Sequence, residues 1–185
     1  MAIVKPFKAV RPSRDKAALV SSKSYETYTP AELGAKLNFN PFTFLHILNP
    51  DYKYHQEVSS EQRFQLVQKK YNEFKKSDYF SKDDTPAFYI YQKNTPTNSF
   101  CGIISAAAAK DYQNNVIKKH EDTLQKREVL FEKYLKKTGF NAEPVLLTYP
   151  ENKVIEAIIK KNKKERPEYE FTTTDKNTHF LWVID

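Results

Sequence analysis

Apolar residues recur at helical spacing in three stretches of the chain. This spacing predicts amphipathic helices near 60–77, 121–138 and 151–164. A capping box at Ser59 marks the start of the first helix, and Gly139 stands where the second would end. Each of the three helices therefore has one side available for a core.

Other apolar runs have the residues and the bounding turns of β-strands. Two pairs of runs predict hairpins at 87–109 and 169–184, each interrupted by a polar turn. Single runs at 43–48 and 144–149 predict two more strands. Because hairpins and helices are mixed irregularly along the chain, the predicted fold class is α+β. We expect a mixed, largely antiparallel sheet packed by the three helices rather than a doubly wound parallel sheet.

The beginning of the chain has a different character. Residues 1–28 predict an extended lead, because Pro6 and Pro12 oppose a helix. A short helix near 30–38 follows, since a capping box with proline at the first helical position precedes it. The sequence has no internal repeat, so we interpret 1–185 as a single domain.

Length and cysteine content narrow the class of protein. No stretch approaches the roughly 18 apolar residues of a membrane span, and no signal-peptide core is present, so we expect a cytoplasmic protein without a membrane partner. Cys101 is the only cysteine, which excludes an intrachain disulfide and a cysteine-based zinc site. Its strand-like surroundings predict a buried, unreactive thiol.

The four histidines occur singly, without the spacing of a metal-binding motif, so no metal site is predicted. His46 and His179 lie in apolar runs, where we expect half-buried, hydrogen-bonded side chains.

The chain is basic, with 30 Lys and Arg against 23 Asp and Glu and a net charge of +7. This raises the question of an anionic partner. Only five of the basic residues are arginines, however, and lysine-rich faces are commonly solvated surface. The aromatic residues fall mostly at inward positions and no RNA-binding sequence pattern is present, so nucleic acid is not favoured as a partner. Three scattered glycines exclude a glycine-rich phosphate loop.

The densest group of candidate functional residues precedes and enters the helix predicted at 121–138. Lys118, Lys119 and His120 could hold a phosphate or carboxylate beside the free N–H groups of that helix. Glu121 could relay a proton, which makes His120 and Glu121 the candidate catalytic pair. The alternative is structural, with Asp122 or Thr123 capping the helix.

Two arginines complete the predicted set of ligand-binding residues. Arg11 could fold back from the lead toward the same pocket, and Arg127 lies in the predicted helix 121–138. The alternative for Arg11 is a position on a surface arm.

Several segments together resemble one protein family in the right order along nearly the whole chain. They are residues 5–12, 40–41, 44–46, 86–91, 117–123, 138–141, 144–149 and 179–182. They are similar to the front half of domain-of-unknown-function family 1015, and Lys118 to Thr123 is the most specific piece. The segment 24–27 departs from the family pattern. The second half of the family, with its Asp-Gly-His-His-Arg segment similar to ParB and sulfiredoxin-like domains, has no counterpart here.

The resemblance implies a limited set of functions. Handling of serine, phosphoserine or a nucleotide such as ATP or ADP is one expectation, with Lys118, His120, Glu121 and Thr123 lining a pocket that faces phosphate. The missing second half or a companion domain would complete it. The alternatives are a non-catalytic scaffold that packs on a companion domain, a homo-oligomer included, and a nucleic-acid-binding module.

Overall fold

The computed structural model describes residues 2–52, 58–120 and 124–185. Within those ranges the α-helices are Ala17–Val20 (α1), Pro30–Phe39 (α2), Leu45–Leu48 (α3), Ser60–Lys76 (α4), Ala109–Gln113 (α5), Gln125–Thr138 (α6) and Lys153–Asn162 (α7). The strands are Val4–Lys5 (β1), Val10–Pro12 (β2), Phe80–Lys82 (β3), Phe88–Asn94 (β4), Ser99–Ile104 (β5), Ala106–Ala107 (β6), Tyr169–Thr172 (β7) and Thr178–Ile184 (β8). The predicted α+β class is confirmed.

The chain divides into two units. The first contains Met1–Val10, Lys82–Asp122 and Glu143–Asp185, and the second contains Arg11–Ser81 and Thr123–Ala142. The single-domain interpretation stays a prediction. The four-stranded sheet and α7 belong to the first unit, whereas α4 and α6 belong to the second.

A four-stranded antiparallel sheet dominates the first unit, with the strand order β5-β4-β8-β7. The hairpins β4–β5 and β7–β8 are the two that the sequence predicts, and β4 pairs with β8 to join them. Successive side chains alternate between the two faces of the sheet. One face carries Ile90, which is fully buried, and Trp182, whose indole N–H donates to the carbonyl oxygen of Glu165 at 3.0 Å.

A smaller strand pair lies in the same unit. β1 pairs with β6, and Phe7 bridges to Ala87. Tyr89 connects this segment to the large sheet, because its hydroxyl lies 2.6 Å from Asp83 Oδ2 and accepts the N–H of Ala9 at 3.0 Å.

The core of the second unit is built on α4. Its capping box is formed by Ser59 and Gln62 as the sequence predicts, and the helix then places an apolar side toward the core. The buried members of this core are Val20, Ile47, Val67, Tyr71, Phe74 and Phe80. Each large apolar side chain of this kind contributes about 1.5–3 kcal/mol by leaving water. The helix predicted at 30–38 is also confirmed, with the capping box of Thr29 and Glu32.

The strand predicted at 43–48 is wrong, because Leu45–Leu48 is a short helix. Asn40 starts this turn by accepting the N–H of Phe42 on its side chain, and His46 N donates to the carbonyl of Thr43. A short apolar run fits a buried helix as well as a buried strand, so periodicity alone could not distinguish them.

The strand predicted at 144–149 is also wrong. The segment has neither helix nor strand, and Val145 and Leu146 are 84% and 89% exposed. A strand needs a hydrogen-bonded neighbour, and within the described residues this segment has no such partner strand.

Two further parts of the chain differ from the prediction. The lead 1–28 is only partly extended, since Val20 N donates to the carbonyl of Lys16 and closes the α1 turn. The strand predicted to reach residue 109 ends at Ile104, and the alanines that follow form β6 and the start of α5. Alanine favours a helix, which explains this early end.

Candidate functional site

The predicted basic segment follows a turn that is anchored on Asp111 in α5. The carbonyl oxygen of Asp111 accepts the N–H groups of Val116 and Ile117 at 2.8 and 3.0 Å. Its carboxylate oxygen Oδ2 accepts the N–H of Ile3 at 2.5 Å, across 108 residues of sequence. Asp111 is buried, so these bonds fix the start of the segment that carries Lys118.

The cations themselves lie at the surface. Lys118, Lys119 and His120 are all exposed. Lys119 Nζ lies 5.1 Å from the centre of the Tyr112 ring, and Tyr112 is itself largely exposed. A cation over an aromatic face is held by about 0.5–1 kcal/mol at an exposed site, so Tyr112 restricts where Lys119 can lie.

Part of the predicted site falls outside the described residues. Glu121, Asp122 and Thr123 lie in the gap between 120 and 124, so their proposed roles stay predictions. The helix expected to begin at residue 121 begins at Gln125. Leu124 has an extended backbone and acts as the N-cap without a side-chain hydrogen bond. The predicted capping by Asp122 or Thr123 lies outside the described residues.

The two predicted arginines belong to the second unit, whereas Lys118 and His120 belong to the first. Arg127 is exposed in the first turn of α6. Arg11 is half-buried in β2. Their membership of one common pocket with Lys118 stays a prediction.

Asp111 and Tyr112 are the contributors that the sequence did not indicate. The alanine run before them has the appearance of a continuing strand, so the helix α5 that orients both residues was not expected. The only available signal was the helix preference of alanine itself.

His46 and His179 are hydrogen-bonded and half-buried as predicted. His46 Nε2 lies 3.0 Å from the carbonyl oxygen of Asn40, and His179 Nδ1 lies 2.8 Å from the Tyr91 hydroxyl. Burial lowers the pKa of His179 below its ordinary value, and Lys93 lowers it further, whereas Asp175 opposes the shift. The described residues contain no group of three or more side chains of the metal-binding types.

Cys101 differs from its prediction, because it is exposed on the outer strand β5 rather than buried. Partial desolvation still raises the pKa of the thiol, with Lys163 acting in the opposite direction. A raised pKa keeps the thiol protonated at neutral pH and disfavours a nucleophilic role. Across the parts of the chain that the structure describes, no helix is long and apolar enough to cross a bilayer.

The sequence model of the family described as "Protein of unknown function (DUF1015)" matches residues 4–185. No curated protein and no solved structure matches the chain.

Proposed function

We propose that this chain, which belongs to the DUF1015 family, contributes an anion-binding surface for a phosphorylated metabolite to an enzyme of the phosphotransfer type. The surface is centred on Lys118, Lys119 and His120. Phosphoserine and ATP are the ligands to test first, because the resemblance points to serine, phosphoserine or a nucleotide.

The anchored turn is the observation that carries the proposal. Three consecutive residues that can bear positive charge follow a segment held by hydrogen bonds to the buried Asp111. A binding group held in place loses less conformational entropy when the ligand arrives. Tyr112 adds a second restraint through Lys119.

The chemistry of each residue follows from its type. Lys118 and Lys119 act as point charges that neutralise phosphate oxygens. His120 is able to donate a hydrogen bond to the same anion or to act as a general acid or base. Glu121, in the part of the chain outside the described residues, has the proton-relay role in this proposal.

The test measures ligand binding by calorimetry and by the thermal unfolding of the whole chain, with phosphoserine and with ATP. The double variant Lys118→Ala/Lys119→Ala is expected to weaken binding at least several-fold, since both charges are lost. The matched control is Lys160→Ala/Lys161→Ala, which removes two exposed lysines from α7. Absence of binding to either ligand, or equal weakening by the control, would contradict the proposal.

A scaffold that packs on a companion domain is the second candidate function. The exposed apolar side chains of Val145 and Leu146 favour it, because apolar patches of this kind often mark interaction sites. Light scattering during size-exclusion chromatography, repeated with Leu146→Ser, tests this reading. Self-association that Leu146→Ser abolishes supports a packing surface, and a monomer that binds no apolar dye argues against it.

A further inference from the structure

The strand register of the large sheet places a row of aromatic and cationic side chains across one face. Lys93 on β4 is paired with Phe100 on β5 and with His179 on β8, and His179 is paired with Phe171 on β7. Directly paired residues lie on the same face of a sheet. We call Phe100, Lys93, His179 and Phe171 the aromatic row.

The rings of the row are held against one another. The Phe171 and His179 rings are stacked, with centres 5.2 Å apart and planes 16° apart. Tyr91, in the next row on the same face, stacks against His179 at 6.1 Å and is hydrogen-bonded to it. These contacts order the rings before any ligand binds, which lowers the entropic cost of binding.

The face remains open at the β5 side. Phe100 is 59% exposed. Gly102 lies beside it on the same face, opposite Tyr91, and a Cβ atom built there would have no described atom within 4 Å. On the same face, the end of β4 that is remote from Lys93 is covered, because the Phe7 ring packs on Tyr89 with ring centres 5.2 Å apart.

The aromatic row contains one cation, Lys93. Lys93 stands between Phe100 and His179, and the nearby carboxylate of Asp175 accepts a hydrogen bond from Asn177 at 2.8 Å. The whole chain carries a net charge of +7. An anionic ligand with planar groups fits both features.

We propose that the aromatic row binds single-stranded nucleic acid, with bases stacking on its rings and Lys93 neutralising a phosphate. Strands about 4.8 Å apart make a four-strand row about 14 Å wide, and one RNA-binding module stacks two or three bases on the surface aromatic residues of its four-stranded sheet. A free nucleotide fits less well, because small-ligand sites enclose most of the ligand and this face is open. The inference is independent of the anion site at Lys118.

The experiment follows the fluorescence anisotropy of a short labelled oligouridylate, and of the matching oligodeoxythymidylate, with the whole chain. Phe100→Ala is expected to weaken binding about tenfold, because stacking on an aromatic ring is a large share of the affinity for each base. Phe39→Ala is the matched control, since Phe39 is 85% exposed in the other unit, and it is expected to leave binding unchanged.

Two substitutions of opposite charge at Gly102 give a second, independent test of oligonucleotide binding. Gly102→Glu places a carboxylate on the open face and is expected to abolish binding, whereas Gly102→Lys retains it. Binding of either oligonucleotide with this pattern supports the inference, and a preference between the two reports on the 2′-hydroxyl. The Lys118→Ala/Lys119→Ala variant separates this site from the anion surface, because it should still bind the oligonucleotide.

Three results would overturn the inference. One is that neither oligonucleotide binds at about 50 mM salt, where phosphate contacts are strongest. Another is binding that Phe100→Ala and Gly102→Glu leave unchanged, which would point to the lysines of α4, α6 and α7 instead. The third is that AMP competes as tightly as the oligonucleotide, which would indicate a mononucleotide site.

Discussion

Replacing Asp111 by alanine tests whether the anchored turn supports the proposed anion surface. The substitution removes the carboxylate that accepts the Ile3 N–H at 2.5 Å. The carbonyl bonds to Val116 and Ile117 belong to the backbone and remain available. The perturbation therefore isolates one long-range hydrogen bond between the beginning of the chain and α5.

The expected loss of stability follows from the type and the burial of this hydrogen bond. A hydrogen bond to a charged group contributes about 1.5–3 kcal/mol when it is buried. Asp111 is buried but Ile3 is exposed, so water replaces part of the lost bond. We therefore expect Asp111→Ala to lower the free energy of unfolding by about 1–2 kcal/mol. We also expect it to weaken phosphoserine or ATP binding a few-fold, because α5, which carries the turn, loses its bond to Ile3.

The assay combines urea unfolding with hydrogen exchange at the Ile3 amide and with ligand titration. Asp111→Asn is the matched variant, because it keeps one acceptor oxygen while it removes the charge and replaces the other oxygen by an NH2 group. It should fall between the wild type and Asp111→Ala in all three measurements. A loss below about 0.5 kcal/mol for Asp111→Ala, or equal effects of the two variants, would refute the reasoning.

Two further predictions concern the core and the sheet. Ile47 is fully buried in the second unit, so Ile47→Ala should cost about 2–5 kcal/mol in urea unfolding and Ile47→Val about 0.5–1.5 kcal/mol; similar effects of the two would contradict the packing described. The pKa of His179 is lowered by folding, so the unfolded chain binds the proton more readily. The stability contributed by its neutral form is therefore present above the ordinary pKa near 6.5 and is lost as the pH falls below it. The midpoint temperature of thermal unfolding should fall less steeply between pH 7.5 and 5 for His179→Gln than for the wild type. An equal pH dependence of the two proteins would argue against this role of His179.

Much of the secondary structure could be read from local signals. The capping boxes at Thr29 and Ser59 mark the starts of α2 and α4, because the bonds that define them join residues three apart. The two hairpins follow from polar turns between apolar runs. These features depend on neighbouring residues, which a single sequence contains.

The short apolar runs could not be assigned in the same way. Leu45–Leu48 and 144–149 have similar composition, yet the first is a buried helix and the second is exposed without regular structure. The difference comes from hydrogen-bonding partners. Asn40 supplies one for the turn that precedes α3, whereas the described chain provides no strand beside 144–149.

The candidate anion-binding surface also depends partly on neighbouring residues and partly on contacts between distant ones. The sequence identified Lys118, Lys119 and His120 as a group, because they are consecutive in the chain. It did not indicate Asp111 as their anchor, since the bond to Ile3 crosses 108 residues.

The sequence by itself determined the basic character of the chain, the α+β class and the positions of the longer helices and hairpins. Only the tertiary structure decided that Phe100, Lys93, His179 and Phe171 form one row. Their positions span 93 to 179, and their adjacency depends on the pairing of β4 with β8. A shift of that register by one residue would move every side chain of a strand to the opposite face.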